Sequence, residues 1–155
     1  MKKSTIDLKV DFSWRNVGLH IQVWSRTDSE FTKATALFDT GAHICAIDTD
    51  AALDLGYELD NSRTSRISTA TGEKRETFQI FVDKLMFGNF EFGPVLMNVF
   101  DLPIYSHPIV IGVNVIKNFD INLKLHENLI TMSPVFANTK HEISTETFGD
   151  WQINT

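Results

Sequence analysis

Hydrophobic and polar residues alternate with a period of two along most of the chain, as in strands with one buried face. In "IDLKVDF" this sets Ile6, Leu8, Val10 and Phe12 on one face; after the "WRN" turn, Val17, Leu19, Ile21 and Val23 continue the pattern. "SRTDSE" is a turn cluster, and "FTKATALF" leads into an apolar stretch around Asp39. Together these segments predict an antiparallel meander with short connections.

The period changes at "IDTDAALDLGYEL", where Asp48 or Thr49 can cap a short helix, Ala51, Ala52, Leu53 and Leu55 form it, and Gly56 stops it. "RTSRISTATGEKRETFQIFVDKLMF" then predicts a long hairpin, about residues 66–80, with Thr71, Gly72 and Glu73 at its tip. In "MFGNFEF" a Gly-Asn pair between aromatic residues signals a two-residue hairpin turn. "PVLMNVFDLP" is a further strand ending at Pro103. The run "IVIGVNVIKNF" stops at Gly112 and passes into a second short helix to about Phe119. A last hairpin turns at Glu127–Asn128, its arms alternating through Ile121, Leu123 and Leu125. Beyond Pro134 the periodicity ends. The expected organisation is one domain over residues 1–134 and a tail over 135–155, tied down by Phe148 or Trp151.

Composition narrows the class. The chain has 155 residues, enough for one domain with a sizeable core, and its 43% hydrophobic and 22% charged content are globular averages. Twelve Phe against two Tyr read as core filling. A net charge of −6 argues against nucleic acid or an anionic membrane as partner. The single cysteine, Cys45, permits no intrachain disulfide, which fits a reducing compartment. "MKKSTIDLKVDF" alternates instead of entering an apolar block, so the expectation is a soluble cytoplasmic protein without a secretory signal.

Candidate chemistry lies in "LFDTGAHICAI", where Asp39, Thr40 and Gly41 interrupt an apolar run. Gly41 allows a tight turn, the Thr40 hydroxyl can bond main chain, and the amides after Asp39 can donate to its carboxylate. Such a turn would present one oriented carboxylate at the floor of a pocket. One carboxylate is a poor hydrolase, but two held close share a proton and divide into an acid and a base. The base draws a proton from a water that attacks a peptide carbonyl, and the acid protonates the carbonyl oxygen. Help of this kind is worth about 10²–10⁴-fold. Because "DTG" occurs once, the second carboxylate must come from a second copy of the chain across a twofold axis.

"LFDTGA" followed by "ICAI", a Gly-tipped hairpin and "IVIGVNVIKNF" resembles the retropepsin-like aspartic peptidases, in order from about Phe31 to Met132. The resemblance implies a mainly β, closed antiparallel barrel of the acid-protease type with two short helices, acting as a homodimer. It implies that Asp39 is catalytic, that Thr40, Gly41 and Ala42 support the active-site loop, and that a flap around Thr71, Gly72 and Glu73 closes over substrate. Ile111 and Gly112 would back the loop. His43 stands where retroviral enzymes often have an aspartate that contacts substrate backbone, so it joins the substrate-binding candidates. The partners implied are a peptide or protein substrate and a second copy of the chain, with no cofactor and no metal. The chain departs from the retroviral pattern at Gly112-Val113-Asn114, where retroviral enzymes usually have Gly-Arg-Asp/Asn, in a less glycine-rich flap, and in the tail.

Plainer readings stand beside these. His43 also reads as a solvated loop residue, Gly72 as an ordinary hairpin turn, and Cys45 as a packed thiol. Arg63, Arg66, Lys74 and Arg75 read as a solvated face of the hairpin. The five histidines have no metal-site spacing. Two alternatives to an endopeptidase remain: a catalytically silent binding or dimerisation module on the same fold, and a small barrel for an apolar ligand in which Asp39 is incidental.

Overall fold

The computed structural model describes residues 5–12, 16–61, 63–68, 71–103 and 107–135. Its first three strands, β1 (Ile6–Asp11), β2 (Gly18–Ser25) and β3 (Glu30–Phe38), form the expected meander. Ile6, Leu8, Val10, Leu19, Ile21 and Val23 are buried as their alternation requires, whereas Phe12 lies past the end of β1 and is 41% exposed. Of the "WRN" turn, Trp14 and Arg15 lie outside the described residues, as do Phe148 and Trp151 of the tail.

Strand β4 (Cys45–Asp48) leads directly into α1 (Thr49–Asp54). Asp48 is the cap, accepting a hydrogen bond from the Asp50 amide at 3.2 Å, and Thr49 is already helical. The helix stops because Gly56 takes φ +85°, letting its N–H reach Leu53 O and that of Tyr57 reach Ala52 O. Tyr57 anchors the exit: its hydroxyl donates to Trp24 O at 2.8 Å and accepts from the Asp83 amide at 3.1 Å.

The long hairpin is β5 (Thr64–Ser68) and β6 (Lys74–Val82), paired from Thr64↔Phe78 to Ser68↔Lys74. Strands β7 (Leu85–Phe87) and β8 (Phe90–Phe92) join through Gly88-Asn89, with positive φ at Gly88, as a two-residue turn demands. β9 (Val95–Phe100) and β10 (Ile109–Ile111) follow, then α2 (Val113–Ile116), β11 (Phe119–Lys124), a single 3-10 turn at Leu125–Glu127, and β12 (Leu129–Pro134). Asn128, in the left-handed region at φ 53°, closes that last hairpin. Its expected alternation holds only at Ile121: Leu123 is 49% exposed, and Leu125 belongs to the 3-10 turn.

The fold is mainly β with two short helices. Its strands pair in the order β11-β12-β1-β2-β3-β10-β4-β9-β6-β5, with β7 on β2 and β8 on β7. The expected closed barrel is not formed, because the two end strands, β11 and β5, do not pair with each other. Neither edge is built for closure. β5 reads "TSRIS" with no buried residue, and the outer half of β11 exposes Asn122 and Leu123. Nor is the sheet wholly antiparallel. β10 runs parallel to β3, and β4 runs parallel to β9. Both pairings join segments far apart in sequence, which local alternation does not encode.

The buried residues form one core, which includes Leu19, Ile47, Leu85, Met97, Ile109 and Ile111. The phenylalanines contribute as expected: Phe119 meets Phe87, Phe90 and Phe92 with ring centroids 5.8–5.9 Å apart, fastening β11 to the β7–β8 hairpin. Among the described residues no helix is long and apolar enough to cross a membrane.

His107, just before β10, is buried at 3% exposure against Gly18, where an added Cβ would sit 2.9 Å from its Nε2. Burial lowers its pKa below the ordinary 6.5, with His20 adding to the effect and Asp11 opposing it. As pH falls, the unfolded chain therefore takes up this proton before the folded one. Stability present above about pH 6.5 is lost below it, down to the folded pKa. Urea unfolding between neutral pH and about pH 5 should show that loss, and His107→Gln should flatten the slope; an unchanged slope in the variant would assign it elsewhere.

Candidate active site

Asp39 is the first residue after β3, and its position is set from three sides. The backbone before it is held by Phe38 N–H on Val17 O at 2.8 Å, and its own N–H donates to Ile111 O at 3.0 Å. The chain then turns sharply, with Ala42 N–H on Asp39 O at 3.3 Å. Inside that turn the Gly41 N–H donates to Asp39 Oδ1 at 2.8 Å. The carboxylate of this partly buried residue is thereby oriented by an amide two positions on, which offsets part of its desolvation. Thr40 is exposed, and its hydroxyl makes no hydrogen bond within the chain among the described residues.

The loop rests on β10 and α2. β10 lies between β3 and β4, so the two arms of the Asp39 loop straddle it. Past β10, Val113 N–H donates to Ala42 O at 2.8 Å and Asn114 N–H to His43 O at 3.1 Å. Gly112 is required by close approach: an added Cβ would lie 2.8 Å from Ala42 O, 2.9 Å from Ile44 C and 3.0 Å from Cys45 N. Its N–H donates to Cys45 Sγ at 3.2 Å.

Asn114 is the residue that sequence reasoning missed. It is fully buried, accepts from Cys45 N–H through Oδ1 at 2.9 Å, and donates through Nδ2 to Leu96 O at 3.0 Å. One amide thus fastens α2 to β4 and β9. The signal was present as the lone polar residue inside "VIGVNVI". An amide buried among apolar neighbours must be satisfied on both ends. Asn118 continues the pattern, its amide donating to Asn114 O at 3.0 Å and Val115 O at 3.2 Å.

Of the candidate residues, Asp39, Thr40, Gly41, Ala42 and His43 are therefore brought together with Ile111 and Gly112. His43 is exposed. Thr71, Gly72 and Glu73 are exposed at the hairpin end, where Gly72 has φ +83° and an added Cβ would meet nothing within 4 Å. The hairpin tip is exposed. Cavities of about 720 and 400 Å³ are lined by other segments, the larger where β1 parts from β2, the smaller beside Asp48 and His107. No group of three or more His, Cys, Asp or Glu that could hold a metal is gathered among the described residues.

Two outcomes follow from this brace. Asn114→Ala strands the Cys45 N–H and the Leu96 carbonyl, each at about 1–3 kcal/mol, so denaturant unfolding should show a loss of about 2–6 kcal/mol. Burial pushes the Cys45 thiol up to about 12. A thiol-specific reagent should therefore label native protein very slowly and denatured protein rapidly; fast native labelling would contradict the packing.

The sequence matches the family profile described as Aspartyl protease over residues 28–115, more than half of the chain, from before β3 into α2. No curated protein matches it. The fold is similar to a retropepsin-like aspartic protease from Rickettsia conorii, with TM-score 0.55 and 18% identity over 83% of this chain and 90% of that one. It is also similar to the retroviral protease-like domain of Ddi1 from Leishmania major, with TM-score 0.52 and 18% identity over 88% of this chain and 98% of that one. With the Asp-Thr-Gly turn at the end of β3 and the glycine of β10's end packed beneath it, the chain belongs to the aspartyl protease family.

Proposed function

We propose that the chain is one subunit of a homodimeric aspartic endopeptidase in which Asp39 of each copy supplies one of two catalytic carboxylates. The observation that carries this reading is the single oriented carboxylate at the end of β3, fixed by the Gly41 N–H in a chain of this family. In the dimer the two Asp39 carboxylates share a proton, and their titrations belong to the pair. The ionised one takes a proton from a water held between them, and the oxygen of that water attacks the peptide carbon. The other carboxyl protonates the carbonyl oxygen. Collapse of the tetrahedral adduct returns that proton and breaks the C–N bond as the amine is protonated. Peptide lies extended between the loop and the β5–β6 hairpin, adding strand-like hydrogen bonds. Thr40 and Ala42 support the loop, and His43, Thr71, Gly72 and Glu73 line the substrate path.

The test uses Asp39→Asn and a peptide library. Cleavage should fall by about 10²–10⁴-fold or more while sedimentation still reports a dimer. When wild-type and Asp39→Asn chains are mixed and re-equilibrated, activity per wild-type chain should fall in proportion to the wild-type fraction. Constant activity per wild-type chain would show that one copy suffices and refute the shared site. A dimer whose function ignores the substitution would point to a binding module; a monomer would refute the shared site.

A further inference from the structure

The β5–β6 hairpin is charged against the rest of the molecule. It carries Arg63, Arg66, Lys74 and Arg75 against Glu73 and Glu76, in a chain whose net charge is −6. All six side chains are exposed. Strand register divides the cations between the two faces. Arg66 and Lys74 share the face of Glu76 and Phe78, with Arg66 directly opposite Glu76. Arg75 lies opposite Ile67 on the other face, the side of Arg63, whose guanidinium sits 5.6 Å from the Phe81 ring centroid. Whichever face overlooks the substrate, two cations are presented to it. Arg66, Lys74 and Arg75 make no ion pair with any carboxylate among the described residues. Among the described residues, then, no ion pair takes up their charge, although Arg66 has Glu76 as its cross-strand neighbour.

We propose that this hairpin selects acidic peptides: substrate segments bearing Asp or Glu beside the scissile region. The proposal rests on the peptidase reading for where the peptide lies. An acidic peptide is repelled by the net negative charge of the protein and attracted by the cations of this hairpin, which both steers the encounter and fixes where the peptide settles. Each exposed ion pair contributes modestly and is screened within a Debye length of about 8–10 Å at ordinary ionic strength, so the selection is salt-sensitive.

The test separates binding from cleavage. Fluorescein-labelled short peptides with a randomised centre and flanks made uniformly of Glu, Gln or Lys are titrated by anisotropy into Asp39→Asn protein, and the unlabelled sets are cleaved by wild type. At low ionic strength the Glu set should bind, and by kcat/KM be cleaved, about threefold to tenfold better than the Gln set, with the Lys set worst. The ratio should approach one in about 0.5 M salt. It should also approach one in Arg66→Gln/Lys74→Gln/Arg75→Gln, whose circular dichroism and melting report that it is folded. Cleavage of all three sets without a Glu preference overturns the selection while leaving the peptidase reading intact. A Glu preference in binding with no cleavage of any set overturns the peptidase reading and leaves the acidic-peptide surface standing.

Discussion

The parallel pairing of β10 with β3 is the constraint on which the site depends. It places Ile111 O where the Asp39 N–H can reach it, and it delivers Gly112 to the underside of the loop. The antiparallel pairing of β10 with β4 closes the other arm. Because a strand is pinned on both sides by main-chain bonds, the loop between β3 and β4 has little freedom left. Gly112 is the narrowest point, since any side chain there would enter the backbone at Ala42, Ile44 and Cys45. The sequence "VIG" thus acts through its missing Cβ as much as through its apolar character.

Local elements were legible because local chemistry decides them. Alternation placed β1 and β2; Asp48 and Gly56 marked both ends of α1; Gly88-Asn89 marked the β7–β8 turn. The family resemblance ordered the Asp39 loop, the hairpin and the "IVIG" segment. What stayed hidden was long-range pairing. Nothing in "IVI" distinguishes a strand parallel to β3 from one in a further hairpin, and nothing in "TSRIS" states that the sheet ends there instead of closing. Asn114 was hidden for a related reason. Its two partners, Cys45 N–H and Leu96 O, lie 69 and 18 residues away and converge only when three elements pack.

The two parts of the site differ in how they are held. The Asp39 loop is fixed by main-chain bonds to β10 and α2 over a buried amide, whereas the hairpin end exposes Thr71 to Glu76 and buries nothing until Thr77. Elements with few buried apolar contacts are the ones that open at low cost. If the proposed peptide lies beneath the hairpin, the motion that admits it would fall on the hairpin, and the Asp39 loop would keep its place. The base of the hairpin is tied by Gln79 Nε2 on Asn98 Oδ1 at 3.1 Å and by the Gln79 N–H on Arg63 O at 2.8 Å, which confines bending to the outer residues.

The brace under the loop is also free of charge. Val113 stands where retroviral relatives usually carry an arginine, and the contacts that replace an ionic brace are made by an amide, by backbone groups and by a thiol whose pKa is pushed up to about 12. None of these groups changes protonation over the range in which a pair of carboxylates would titrate. An ionic brace would weaken as its acidic partner was protonated, and the geometry of the loop would shift along with the catalytic groups. A neutral brace removes that coupling. Acid would then reach the loop through the proposed pair's own protons and through buried His107 just before β10, and not through the brace itself.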